Sequence, residues 1–357
     1  MINQVDSSNG QGEQGRWQSG QEWEGPSPEP IQGPPATGWE AEPPAPWLTL
    51  AAGRFLLDVP PDACAFFGRQ GFNEAGPFIQ TLPVQDPGEA RAMVEARAEA
   101  LGVPHEEGGT QLERVVTGWR PHSWFIYYWK DTVFKDPAME LNGYFWLDGL
   151  LVIFRTTCAP DPGAMADRAR LLDAMCGQVR RRAPLAIPRE PGFCLREAYF
   201  RGSPARYSDE HIELLVSFPS RPWMSLRFCT DTVGEVVANY PRLLEREAGC
   251  GGVRIRARDL AVGPFPGQEL VRRGNDSRGT PGWIFTWEYL GQPRDPLSPM
   301  MVLQLRVRMK TVTTENESSC ESNALVVWDE VLGSLRRRES FLRYLRLPGA
   351  FRSSCTL

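Results

Sequence analysis

Histidine is scarce in this chain: three in 357 residues, at positions 105, 122 and 211, with no two at a metal-ligand spacing. Eight cysteines, at 64, 158, 176, 194, 229, 250, 320 and 355, include no Cys-x-x-Cys pair. That excludes zinc knuckles and thioredoxin-like sites, both of which need closely spaced sulfurs. The Gly-x-Ser-x-Gly turn of the common serine hydrolases is missing. No apolar run reaches the length of a membrane helix. A surplus of positive charge is lacking as well: the formal net charge is -5, which gives no general attraction for phosphate backbones or anionic lipid. The expectations are therefore no nucleic-acid partner, no membrane insertion, no metal or other cofactor, and no recognisable catalytic residues.

What remains is an ordinary globular composition, 41% hydrophobic and 23% charged. The cysteines read mostly as buried small hydrophobes, and sequence alone cannot pair them. His211-Ile212-Glu213 resembles the first half of a zinc deaminase signature, but the Pro-Cys-x-x-Cys that completes such a site is absent. On a strand, His211 and Glu213 simply share one face. Gly249-Cys250-Gly251-Gly252 follows a helical pattern rather than opening one, so it reads as a helix stop and not a phosphate cradle.

Residues 1–46 are rich in Gly, Gln, Glu, Pro and Ser, with isolated Trp17, Trp23 and Trp39. Such a stretch buries too little apolar area to offset its ordering entropy and reads as a disordered tail. From Leu48 onward strands are expected near 54–59, 64–72 and 76–82. Asp86-Pro87-Gly88-Glu89 then caps a helix with the stripe Ala90, Met93, Val94, Ala98 and Leu101. Strands near 112–118, 122–130, 140–147 and 150–157 follow, the last two joined by an Asp148-Gly149 hairpin turn. Asp161-Pro162 opens a second helix with Met165, Leu172, Met175 and Val179 on one face, ending in Arg180, Arg181 and Arg182.

After the proline-spaced linker 184–191 the order recurs. Strands near 193–200, 211–218 and 223–229 precede a helix opened by Thr232 and Glu235 and kinked at Pro241. Its stripe is Val233, Val236, Val237, Tyr240, Leu243 and Leu244. Strands near 253–260, 267–273, 282–290 and 300–312 lead to a helix over 322–338. That helix carries Leu325, Trp328, Val331, Leu332 and Leu335 and ends in Arg336, Arg337 and Arg338. At both ends the arginines complement the partial negative charge of a helix C-terminus. Strands joined mostly by turns, with two helices per unit, give an α+β class: two tandem similar domains, 48–183 and 192–338, each a mainly antiparallel sheet backed by two helices. A C-terminal extension, 339–357, is unassigned.

Aromatic residues crowd the strand at Trp124, Phe125, Tyr127, Tyr128 and Trp129. Alternation sends Trp124 and Tyr128 to one face and Phe125, Tyr127 and Trp129 to the other, so one set leaves the core unless a second layer covers it. Exposed Trp and Tyr anchor protein interfaces. Trp124, Tyr127, Tyr128, Trp129, Trp223 and Trp283 are the candidate partner-binding residues.

With these residues placed, the chain resembles the immunity proteins that protect bacteria from a type VI secretion lipase effector, the family paired with the fourth class of such phospholipases. Gly53-Arg54-Phe55-Leu56-Leu57-Asp58-Val59-Pro60 resembles the opening strand of the family's N-terminal domain, and Gly192-Phe193-Cys194 the start of its C-terminal domain. Pro266-Gly267-Gln268-Glu269 and Phe285-Thr286-Trp287-Glu288 resemble its middle. Ser322-Asn323-Ala324-Leu325, through Val327-Trp328-Asp329, to Ser334-Leu335-Arg336 resembles its end. The resemblance covers about 48–338 and implies a claw-like inhibitor that grasps a cognate lipase effector without catalysis. It also implies the periplasm, whereas residues 1–46 show no secretory leader and the chain as written is expected in the cytoplasm. The different reading that composition leaves open is an enzyme with an unrecognised site between the domains.

Overall fold

The computed structural model describes residues 31–32, 46–72, 77–105, 109–131, 138–202, 210–233, 240–247, 252–275, 281–308 and 317–338. The first half comprises β1 (Ile31–Gln32), β2 (Leu48–Ala52), β3 (Phe55–Val59), β4 (Cys64–Phe72), β5 (Phe78–Pro83), α1 (Pro87–Gly102), β6 (Leu112–Thr117), β7 (Ser123–Tyr128), β8 (Met139–Trp146), β9 (Leu150–Cys158), α2 (Pro162–Cys176) and β10 (Val179–Arg181). The second comprises β11 (Gly192–Cys194), β12 (Ala198–Arg201), β13 (Glu210–Ser217), β14 (Met224–Asp231), α3 (Leu243–Arg246), β15 (Val253–Val262), β16 (Phe265–Asn275), β17 (Pro281–Tyr289), β18 (Met300–Arg308), α4 (Glu317–Ser334) and β19 (Arg336–Arg337).

Local chemistry sets several of these boundaries. Asp86 accepts from the Gly88 N–H and Asp161 from the Ala164 N–H at 2.9 Å, each followed by a proline whose missing N–H costs nothing at a helix start. Asp148 and Gly149 both have positive φ, 45° and 81°, as a two-residue hairpin turn that follows the strand twist requires. The helix expected from Thr232 differs. Thr232 instead prolongs the β13–β14 pairing, its N–H donating to the Glu210 carbonyl at 2.9 Å and its Oγ1 accepting from the Glu210 N–H at 3.1 Å. The described helix starts only after Pro241, with Glu245 accepting from the Arg242 N–H at 3.1 Å. Glu235, Val236, Val237 and Gly249 lie outside the described residues, as do Trp17, Trp23, Trp39 and the extension 339–357.

The two halves have the same strand order. One antiparallel sheet reads β15-β16-β17-β18-β14-β13 and continues β4-β5-β9-β8-β7-β6, so the second half mirrors the first about the β4–β13 seam. That seam pairs the halves from Glu210↔Phe72 to Ser217↔Cys64. The halves expected as two sheets thus share one, and the main apolar cluster contains residues of both, from Phe125 and Leu172 to Trp283 and Trp328. Helices α2 and α4 cover one face of the sheet. Helix α1 covers the other face in the first half with Ala90, Val94 and Leu101, and Leu243 of α3 is buried on that face in the second.

Two small three-stranded sheets bind the halves by exchange. The hairpin β2–β3 opens the first half, yet its third strand is β19, from the end of the second half. The hairpin β11–β12 opens the second half and takes β10, from the end of the first. Packing follows the same exchange. Phe55 of β3 stacks edge-on against Phe228 and Phe265, and Phe72 of β4 meets Phe193 and Phe200. The hairpin tips touch at the centre, where Gly53 and Cys194 exchange backbone hydrogen bonds of 2.9 and 2.8 Å. Gly53 there has φ of +58°, and a Cβ would meet Ile212 and Phe193 at 3.1 and 3.2 Å, which is why glycine holds the tip.

The arginine triplets are therefore not helix ends. Helix α2 stops at Cys176 and α4 at Ser334, and the arginines lie on and just beyond β10 and β19. One arginine of each triplet still serves a helix terminus: Arg180 donates to the Gly177 carbonyl at 2.8 Å and Arg336 to that of Ser334 at 2.7 Å. The third is buried. Arg182 donates to the carbonyls of Leu195, Ala198, Ala186 and Ala51, and Arg338 to those of Glu190 and Gly192 and to Cys194 Sγ. Burial lowers the pKa of both guanidinium groups, and the ring of backbone oxygens offsets the cost of keeping each charge in a dry interior.

Replacing Arg182 by Leu strands several buried carbonyls at once. Arg182→Leu is expected to lower unfolding stability in urea by about 3 kcal/mol or more, with one concerted transition monitored from both halves. Arg170→Ala, which loses an exposed pair with Asp167, is expected to change it by less than about 0.5 kcal/mol.

Candidate partner-binding cleft

Between α1 and α3, the centre of the second sheet face carries no helix among the described residues. Strand alternation decides what lies there. Ile212, Leu214 and Val216 of β13 go to the core, which leaves His211, Glu213, Leu215 and Ser217 on the open side. On β14 and β18 the same alternation presents Arg227, Cys229, Gln304 and Arg306. Two contiguous hollows result. One of about 610 Å³ lies over β4, β13 and β14, lined by Phe66, Arg69, Leu215 and Arg306; the other, about 220 Å³, runs beneath Tyr240 and Leu243. They share His211, Arg227 and Gln304.

The floor is polar and largely internally paired. Arg227 Nε donates to Glu213 Oε1 at 2.6 Å, Arg246 Nη1 to Glu288 Oε1 at 3.1 Å, and Arg272 lies 3.0 Å from Glu247. Its hydrogen bonds with Glu288 raise the Arg246 pKa and fix its charge. Arg69 lies over the Phe78 ring at 3.9 Å. The exposed large hydrophobics are Leu215, 40% accessible, and Tyr240, 47%.

His211, Glu213, Cys229 and Asp231 meet in this floor, as an enzyme reading requires. His211 is buried with Nδ1 3.7 Å from Asp231 Oδ2, and Cys229 Sγ is 4.0 Å from Glu213 Oε1. The thiol is in the wrong state for attack. Burial first, then the Glu213 and Asp231 carboxylates, push its pKa up to about 12 against the pull of Arg227, so no thiolate is available at neutral pH. Glu213 instead supports the sheet. Strand β4 carries extra residues at Gly68–Arg69, between the pairs Ile212↔Gln70 and Leu214↔Phe67, and the Glu213 carboxylate sits against that bulge. Among the described residues no group of His, Cys, Asp and Glu is arranged to hold a metal, and no helix is long and apolar enough to cross a membrane.

The aromatic candidates lie elsewhere. Trp283 is 0% accessible in the core, Tyr127 and Trp129 are buried in the same cluster, and Tyr127 donates to the Met165 carbonyl at 3.2 Å. These three present no surface, so the expectation that they anchor a partner gives way to a core role. Trp124 and Tyr128 face the other side as alternation required, and α1 is the layer that covers them. Trp223 is half-buried against the main core, not in the cleft. The cleft residues Phe66, Arg69, Leu215 and Arg306 escaped the sequence because nothing in a single strand says which sheet face a distant helix will leave bare.

Residues 186–340 match the family described as the Tle cognate immunity protein 4 C-terminal domain. The chain is similar to the apo immunity protein TplEi of T6SS from Pseudomonas aeruginosa, with 27% identity, a TM-score of 0.64, and 82% of this chain and 97% of that one covered. It is also similar to a chain of the Tle4–Tli4 complex, with 26% identity, a TM-score of 0.65, and 83% and 99% covered. TplEi complexed with "L" peptide matches at 26% identity with a TM-score of 0.61, over 83% and 99%. No curated protein matches.

Burial raises the Cys176 thiol to about 12 as well. Both thiols are expected to resist Ellman's reagent at pH 8 in the native chain and to react once it is unfolded. Because their native pKa lies above the ordinary 9.0, their stabilising contribution is full below about pH 9 and is lost as pH rises toward 12. Urea midpoints measured from pH 8 to 11 are expected to fall.

Proposed function

We propose that the chain is one of the immunity proteins cognate to type VI secretion lipase effectors and that it neutralises its effector by binding alone, with the open sheet centre as the seat. The observation that carries this reading is the likeness to Tli4 and TplEi over more than four-fifths of the chain, in both halves. The cleft supports it: a wide polar floor with an exposed leucine suits a protein surface better than a small substrate. Residues 48–183 and 192–338 would act as the two jaws of a claw. Two patches held on one body engage as a single event, so each can be modest while the pair is tight.

A second reading is favoured by the proximity of His211, Asp231 and Cys229, which would make the cleft a reaction site. The two separate cleanly. On the binding reading, Cys229→Ser and His211→Gln leave protection of cells expressing the lipase unchanged; loss of protection with the complex intact would establish the chemical reading instead.

Co-expression with the cognate lipase is expected to restore growth and yield a complex that survives gel filtration; survival without a complex would sink the binding proposal. Leu215→Glu combined with Arg306→Glu is expected to weaken the complex about 30-fold or more by calorimetry, with an unchanged melting temperature.

A further inference from the structure

Strand register maps the centre of the open face residue by residue, because residues directly opposite on paired strands point to the same side. Arg306↔Ser225 and Ser225↔Ser217 make one row across β18, β14 and β13. Gln304↔Arg227, Arg227↔Leu215 and Leu215↔Phe66 make the next and reach β4. Beyond β4, Phe78 of β5 lies opposite Arg155 of β9. Ile79 belongs to the main core, so Phe78 and Arg155 share the open face with Leu151 and Ile153, which pack toward α1. Arg69 joins the two sides, lying over the Phe78 ring at 3.9 Å and in the wall of the larger hollow.

Four arginines therefore cross the face, on β9, β4, β14 and β18. The outer two stand on the first and last strands of the run β9-β5-β4-β13-β14-β18. At ~4.8 Å between neighbouring strands the belt is roughly 24 Å across, the length of about seven extended residues. It runs against the trend of the chain, whose formal net charge is -5. The larger hollow sets Arg69, Arg227 and Arg306 against one carboxylate, Glu213, which accepts from Arg227 at 2.6 Å. Glu140 flanks the other end, where burial raises its pKa and Arg155 pulls against that rise. Arg69, Arg155 and Arg306 are exposed. Contacts with neutral groups orient them without cancelling their charge: Arg306 Nε donates to Gln304 Oε1 at 2.7 Å, Arg155 Nη2 to Gln80 Oε1 at 3.5 Å, and Arg69 has the Phe78 ring. Between Arg306 and the ridge of Leu215 and Phe66, the short side chains of Ser225 and Ser217 leave low ground.

We infer that this belt takes an extended, carboxylate-rich segment of the lipase, whose Asp or Glu side chains reach Arg155, Arg69 and Arg306 while an apolar side chain rests against Leu215 and Phe66. The inference rests on the binding reading above and adds to it the chemistry of the segment that is bound. Complementary charge of this kind selects a partner and speeds its approach. A phosphate-bearing surface suits the belt less well, because Leu215 and Phe66 stand among the arginines and Arg227 is already engaged by Glu213.

Carbodiimide coupling tests this on the full-length complex. Arg69→Lys, Arg155→Lys and Arg306→Lys keep the charge and supply an amine that couples only to a carboxylate in direct contact. Each is expected to cross-link to Asp or Glu within one stretch of the lipase, read by peptide mass; Arg170→Lys, on α2 and the opposite sheet face, is not. Charge reversal gives the second readout. Arg69→Glu, Arg155→Glu and Arg306→Glu are each expected to weaken the complex about tenfold or more, and the corresponding Gln variants about threefold, with unchanged melting temperatures. A wild-type complex that yields no such cross-link and is indifferent to the three reversals would overturn the inference and leave the binding reading standing. No wild-type complex at all removes that reading and this one with it. Binding of the chain alone to anionic phospholipid vesicles, lost in the same Glu variants, would assign the belt to a membrane surface and overturn the inference as well.

Discussion

Everything in this molecule turns on the reciprocal exchange at the β4–β13 seam. Each half surrenders its closing strand to the other's hairpin, and a buried arginine lies just past that strand: Arg182 is held by the Leu195 and Ala198 carbonyls of the β11–β12 hairpin it joins, and Arg338 by those of Glu190 and Gly192 at the start of that same hairpin. A guanidinium in a dry interior is tolerable only where several acceptors converge on it, so Arg182 and Arg338 fix the hairpins as much as the hairpins fix them. The buried Arg54–Glu210 pair adds a third tie, from the first hairpin to the start of β13, with Nε to Oε2 at 2.6 Å. Neither half completes its own small sheet, and the two share one main apolar core.

That constraint gives the open sheet face its use. A body whose two ends carry helices on that face, and whose centre carries none among the described residues, presents a cleft between them. Its charges are mostly spent on one another, burial keeps its Cys229 thiol protonated, and its accessible members include Leu215, Tyr240, a half-buried Phe66 and arginines. Such a surface offers a partner both shape and charge.

Much of the architecture was legible in the chain. Period-two alternation located most strands, Asp-Pro steps located the starts of α1 and α2, Asp148-Gly149 located a hairpin, and the recurrence of the pattern announced the duplication. The reading failed where local signals are weak or ambiguous. Arginines after an amphipathic helix look like charges facing the helix dipole, yet Arg182 and Arg338 follow short strands whose partners lie in the other half. Thr232 looked like a helix cap because its hydroxyl can serve either a helix start or a strand pair, and the Glu210 backbone claimed it. The aromatic cluster at 124–129 announced two filled faces but not which layer filled the second.

Composition and periodicity by themselves determined the class of the protein, the doubling of its strand order and the lack of a recognisable catalytic motif, since these depend on side-chain type and local spacing, and short runs of residues in order carried the resemblance to the immunity family. Tertiary structure alone decided that the two halves share one sheet, that they trade closing strands, that Tyr127, Trp129 and Trp283 serve the core, and that the centre of one face carries no helix among the described residues. Those outcomes rest on pairings between strands apart in the sequence, as in Glu210↔Phe72 and Arg336↔Leu56, and the energy of such a pairing is written in neither strand separately.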